Sequence, residues 1–201
     1  MKFFDGEEFT HDEIVAGLSK GVNDGTVVPV YACSGYTTDA VDLLLNGITK
    51  LAPAPQGEGD VACDENGSLA AICFKTVADP FIGKMSFFKV MNGTVKRDLL
   101  LRNNTTGDSE KLSHIYVMKG KKQTEVDELC CGDIGMVAKL SNTNTNDTLT
   151  WNKDFSYSKI EYPTPYLTKV MIPVSKGDEG KISQSISKMV EEDYTIRFEN
   201  D

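Results

Sequence analysis

Six short runs rich in β-branched and aromatic residues follow one another between Leu69 and Leu140, each bounded by a turn signal. They are Leu69–Val77, Met85–Val90, Thr94–Arg102, Lys111–Met118, Glu125–Leu129 and Gly135–Leu140. Their spacing is the strongest constraint on the fold, because many short strands bury their apolar faces only by closing on themselves or stacking as a sandwich. Asn92-Gly93 lies between two of the runs and predicts a tight hairpin, since a primed turn needs positive φ. Gly107-Asp108 marks a further turn. A central all-β domain over residues 69–150 is expected.

The two flanks are of mixed character. In residues 1–52, Thr10-His11-Asp12-Glu13 has the pattern of a capping box, Ile14 and Leu18 follow one turn apart, and Gly21 offers a left-handed stop. Thr26 to Cys33 is a nearly unbroken apolar run suited to a strand covered on both faces. Thr38 is placed to cap a second helix carrying Val41, Leu44, Leu45 and Ile48, ending near Pro53. A doubly covered strand normally sits in a parallel sheet with neighbours from other βαβ units, and this block supplies only one such strand. The block is therefore expected to be a remnant of a larger α/β domain. Residues 53–68 are rich in Pro, Gly and acidic residues and are expected to be a linker.

In residues 151–201, Tyr166–Pro173 is expected to be a strand, Asp178 to start a helix with Ile182, Ile186, Met189 and Val190 on one face, and Tyr194–Phe198 to be a second strand. A lone β-α-β unit leaves much apolar surface uncovered, so this end too is expected to be cut from something larger.

The order of certain segments carries a resemblance. Asp79-Pro80-Phe81-Ile82-Gly83-Lys84, then Phe87 to Val95 around Asn92-Gly93, then Gly132-Asp133-Ile134, then Asn144-Thr145-Asn146-Asp147-Thr148-Leu149 resemble the second, β-barrel domain of elongation factor G and its relatives, a family of translational GTPases. The first block is similar to the end of that family's GTPase domain, and Glu161 to Phe198 to the start of its third, ferredoxin-like domain. The fold class this implies is mainly β with α/β flanks: a translation-factor-type barrel after an α-β-α remnant and before an incomplete β-α-β unit. An intact relative would bind GTP with Mg2+ and hydrolyse it on the ribosome to promote translocation. No GxxxxGK[ST] loop occurs here, so the chain alone is expected to need no cofactor and to be inactive.

By the same resemblance, Ser34 and Gly35 match the pair whose backbone contacts the guanine base. Pro80 and Gly83 are expected to fix a tight loop, with Phe81 anchored in the core and Lys84 free to face phosphate. Two rivals share these residues: a tetracycline-resistance-type ribosomal protection protein, and a free-standing barrel module acting without nucleotide.

Charge is uneven. The total is −9, yet residues 69–128 hold 10 Lys/Arg against 7 Asp/Glu, whereas residues 1–68 hold 3 against 12. A local basic patch, and not the total, steers association with a polyanion. Lys84, Lys96, Arg97, Lys119, Lys121 and Lys122 are the candidate contacts, with small-subunit ribosomal RNA the partner the resemblance implies. The N-terminus is acidic within five residues, and no apolar run approaches membrane-spanning length, so a cytoplasmic, membrane-free protein is expected, monomeric or weakly associated through its cut edges. The five cysteines show no CxxC or Cys/His zinc spacing and are expected to be reduced, and no metal site is expected. His11 and His114 lie near no candidate nucleophile, so the sequence offers no basis for histidine catalysis.

Overall fold

The structure is a computed structural model that describes residues 2–55, 57–58, 61–152, 155–175 and 177–199, and of residues 57, 58, 61 and 62 the backbone alone. The chain divides into two compact units, Met1–Gln56 and Gly57–Asp201.

The first unit holds α1 (His11–Asn23) packed on α2 (Val41–Leu51). The capping box forms as the sequence expects: Thr10 Oγ1 accepts from Glu13 N, and Glu13 accepts from Thr10 N. Hydrogen bonds from Lys2 and from the Thr10 backbone hold the Glu13 carboxyl below its usual range. Gly21 does not end α1. The helix runs two residues further, and Gly25 (φ 76) takes the left-handed position. Gly21 is instead a close-approach residue, since a Cβ there would meet Val27 Cγ2 at 2.5 Å. Thr38 is likewise not the cap of α2: Ala40 is, in a left-handed conformation and with no side-chain cap.

The strand expected over Thr26–Cys33 does not form. The segment joins no β-ladder, and Val30 is 90% exposed. A strand is defined by a ladder with its neighbour's backbone, and among the described residues none pairs with this segment, whose Val27 N donates instead to the Gly21 carbonyl.

The second unit is built on β strands. The stretch expected as a linker contains a small hairpin, β1 (Gly57–Glu58) with β2 (Val61–Ala62). Then come β3 (Ala70–Asp79), β4 (Gly83–Asn92), β5 (Thr94–Lys96), β6 (Leu99–Asn103), β7 (Ser109–Leu112), β8 (Ile115–Lys119), β9 (Lys122–Val126), β10 (Glu128–Cys130), β11 (Ile134–Ala138) and β12 (Thr148–Thr150). Eight of them form one antiparallel sheet in the order β7-β6-β12-β3-β4-β11-β8-β9, and β5 pairs separately with β10. The sheet curls into a half-barrel around Leu69, Phe88, Val90, Val95, Leu101, Leu112, Ile115, Leu129, Val137 and Leu149. The mainly-β class expected from the sequence is what the structure has.

Three expected runs each split into two strands. Asp98 (φ 62) breaks Thr94–Arg102, and the kinks at 113–114 and 127 divide the other two. Asn92-Gly93 is a turn with positive φ at Gly93 (φ 73), but not a hairpin. β4 stays in the large sheet and β5 leaves to join β10, so the turn is a corner.

The Asn144–Leu149 segment is polar and buried. Asp147 accepts from Asn103 Nδ2 (2.8 Å) and Asn144 N (2.7 Å), and Thr145 Oγ1 donates to Thr76 Oγ1 (3.1 Å). Cys73 N donates to the Asp147 carbonyl, and Asn146 N to the Cys73 carbonyl. Such a network is tolerable in a core because its donors find acceptors. Burial pushes the Cys73 thiol up to about 11.

After β12 the chain runs along this polar segment. Tyr157 N donates to Thr148 Oγ1, and Ile160 N to Asn146 Oδ1. α3 (Glu179–Glu192) starts after Asp178 as expected and packs against β3. Glu192 accepts from Ala78 N, and Tyr194 stacks on Tyr162 at 5.3 Å. The strands expected at Tyr166–Pro173 and Tyr194–Phe198 do not form either: among the described residues neither segment joins a β-ladder.

The cysteines correct a further expectation. Cys63, just after β2, is disulfide-bonded to Cys131 in the β10–β11 turn, with Cα atoms 5.6 Å apart. Cys33, Cys73 and Cys130 are free thiols.

Candidate nucleic-acid interface

The six basic candidates fall into two groups once their surroundings are known. Lys84 lies at the start of β4, and its ammonium donates to Asn144 Oδ1 at 2.6 Å in a half-buried position. It is a strut between the β3–β4 hairpin and the polar segment, not a free cation. Lys96 faces Glu128 at 3.8 Å across the β5–β10 pair. Arg97 lies between Glu125 (3.5 Å) and Asp127 (3.4 Å). The sequence places all these acids more than 25 residues from their partners, so neutralisation was invisible along the chain.

Lys119, Lys121 and Lys122 are different. β8 and β9 form a hairpin closed by the two residues Gly120 and Lys121, with Gly120 at φ 58. Lys119 and Lys122 are direct cross-strand partners and Lys121 occupies the turn between them. All three are exposed, and none has an ion-pair partner among the described residues. Like charges directly opposite on a ladder repel, a cost that a bound polyanion would offset. β9 is an edge strand, so the tip projects from the end of the sheet.

At the root of this hairpin His114 Nδ1 lies 2.8 Å from Glu125 Oε1. The histidine, and then Arg97, hold the Glu125 carboxyl below its usual range. The acids of this barrel face thus cluster on Arg97 and His114 and leave the tip purely basic.

The Asp79–Lys84 loop is tight, as its Pro and Gly suggest: Asp79 Oδ1 accepts from Phe81 N and Ile82 N, both at 2.8 Å. Those two bonds lower the Asp79 carboxyl, that of Ile82 first. Phe81, however, is no core anchor. It is 95% exposed, because the turn that satisfies Asp79 aims residue 81 away from the sheet.

Ser34 and Gly35 lie in the first unit at a turn before α2. Ser34 N donates to the Asp39 carbonyl (3.0 Å), and Ser34 Oγ accepts from Thr37 N (3.2 Å). Gly35 is exposed with open space around its Cα. Among the described residues no three His, Cys, Asp or Glu side chains gather in a way that could hold a metal ion, and no helix is long and apolar enough to cross a membrane.

A curled antiparallel half-barrel spanning these strands defines a class, the β-barrel domain of a translation elongation factor: residues 68–152 match the family model described as elongation factor G domain 2. A crystal structure of a protein from Thermus thermophilus superposes with a TM-score of 0.80 at 25% sequence identity. The match covers 98% of this chain and 29% of that one, so the chain spans under a third of the length of that structure. Over residues 68–152 the chain is thus similar to the second domain of elongation factor G.

Proposed function

We propose that the chain forms part of a cytoplasmic translational GTPase that works with GTP and Mg2+, and that the barrel docks the protein on small-subunit ribosomal RNA. The match of residues 68–152 to elongation factor G domain 2 supports the first half of this reading. The observation that carries the second is the lysine tip: three cations within four residues at a hairpin end, without ion-pair partners among the described residues, whereas Lys96 and Arg97 face carboxylates and Lys84 is held by Asn144. Phosphate contacts of this kind position a module without reading bases. Of the pair proposed to touch the guanine base, Ser34 has spent its N–H on Asp39, which leaves Gly35 the more open of the two. GTP supplies the energy of the intact protein's cycle, and no residue of this chain is assigned a part in its hydrolysis.

Reversing Lys119, Lys121 and Lys122 to glutamate in the intact protein should weaken sedimentation with small ribosomal subunits. It should also flatten the dependence of log K on log salt by roughly 2–3, since about three fewer counterions are released. Reversing Lys84, Lys96 and Arg97 should have the smaller effect on the salt slope. Identical binding curves for the tip variant and wild type at every salt concentration would remove the proposal's support.

A further inference from the structure

We infer that Cys63 and Cys131 form a reversible thiol–disulfide clasp that fastens the segment leading into the barrel to the barrel wall. Four observations carry this. The bridge joins parts of the chain 68 residues apart, and one end, Cys63, lies on the segment before β3, outside the large sheet. β1 and β2 are two residues each, and so short a hairpin is not stable alone. Beyond the bridge, this segment is tied down by Asp64 N donating to Asn92 Oδ1, Gly93 N to the Asp64 carbonyl, and Thr94 Oγ1 to the Glu65 carbonyl, all at the corner between β4 and β5.

The barrel, by contrast, closes its apolar core without the bridge. Cys131 only packs against the edge of that core, and Cys63 is not in it. A reduced chain therefore keeps its main fold, which a switch requires and a structural staple does not. Both bridged residues are half-buried at the surface, within reach of a small thiol or a protein dithiol. Cys73, fully buried with its thiol pushed up to about 11, is not.

The chemistry balances with a dithiol as co-reactant. Its thiolate attacks one sulfur of the bridge, the Cys63–Cys131 bond breaks, and a mixed disulfide forms. The second thiol of the reductant then displaces the protein sulfur and leaves as an intramolecular disulfide. Two electrons pass to the protein, and its two sulfurs take up two protons. An oxidised dithiol runs the same steps backwards. The clasp stands apart from the ribosomal reading, because both its states are properties of this chain alone.

The test equilibrates the 201-residue chain at graded ratios of reduced to oxidised dithiothreitol, then quenches and alkylates it under denaturing conditions. Three alkylated cysteines are expected at the oxidised end and five at the reduced end, with the barrel folded throughout. Amide exchange at residues 63–67 should quicken at least tenfold on reduction, while residues 85–90 keep their protection. Cys131→Ser should show the fast exchange at every ratio. A bridge that opens only when the barrel unfolds would overturn the inference. So would five free thiols at the oxidised end, or unchanged exchange at 63–67 after reduction.

Discussion

Strand β4 and the segment Thr26–Cys33 carry the same kind of sequence, a run of apolar and β-branched residues, and end in opposite states. β4 pairs with β3 along one side and β11 along the other, and its Phe88 and Val90 are buried. Thr26–Cys33 pairs with nothing among the described residues, and Val28 and Val30 face outward. Tyr166–Pro173 repeats the second outcome. Apolar patterning states what a segment will do when a neighbour is present; it does not supply the neighbour. A β segment gains its hydrogen bonds and its burial only from other chain, whereas a helix closes its own bonds. That is why α1, α2 and α3 form in both flanks where the strands do not.

The largest effect expected from this contrast comes from truncating one side chain in each region. Phe88→Ala removes a buried ring from the core and should cost about 3–5 kcal/mol in denaturant unfolding of the barrel. Val30→Ala removes an exposed side chain and should stay within about 0.5 kcal/mol. Comparable losses at the two sites would break the comparison.

Two cysteines sharpen it. Cys73 on β3 is buried with its thiol at about 11, against an ordinary value of 9.0, whereas Cys33 is exposed. A thiol whose folded pKa is raised keeps its full contribution below the unfolded pKa and loses it as pH climbs to the folded one. Barrel stability should therefore fall by about 2–3 kcal/mol more between pH 9 and 11 in wild type than in Cys73→Ala. Parallel pH profiles for the two proteins would contradict the burial argument.

The corner at Gly93 tests whether turns or strands direct the chain. Its φ is positive, and a Cβ would lie 2.8 Å from Leu69 Cα and 2.9 Å from the Gly67 carbonyl. Gly93→Ala should cost about 2 kcal/mol, seen as a lower urea midpoint at unchanged m-value. The smallest effect belongs to a helix that needs no neighbour: Thr10→Ala removes one side of a capping box and should cost α1 about 1 kcal/mol, read as faster exchange in residues 13–16 with the barrel unaffected.

What the sequence made legible follows the range of the forces involved. The capping box at Thr10, the start of α3 at Asp178 and the main barrel runs depend on residues within a few positions, and they stand where expected. β12 was not expected as a strand. Its residues Thr148–Thr150 come straight after a polar segment whose burial depends on Asn103 and Cys73, far away in sequence. The Cys63–Cys131 bridge left no spacing signature for the same reason. The turn and the charge at Lys119, Lys121 and Lys122 were legible because both are local. The partners of Lys84, expected to be free to face phosphate, and of Lys96 and Arg97 were not legible because they lie far along the chain. Phe81 was placed in the core by its type, although the Asp79 turn points it outward.

Amide hydrogen exchange across the whole chain tests the central claim most directly, namely that strands form here only where the chain itself provides their neighbours. The slowest amides should lie in β3, β4 and β11, exchanging near the global unfolding rate, while residues 27–33 and 166–172 exchange orders of magnitude faster. Protection across residues 27–33 equal to that of β4 would contradict it.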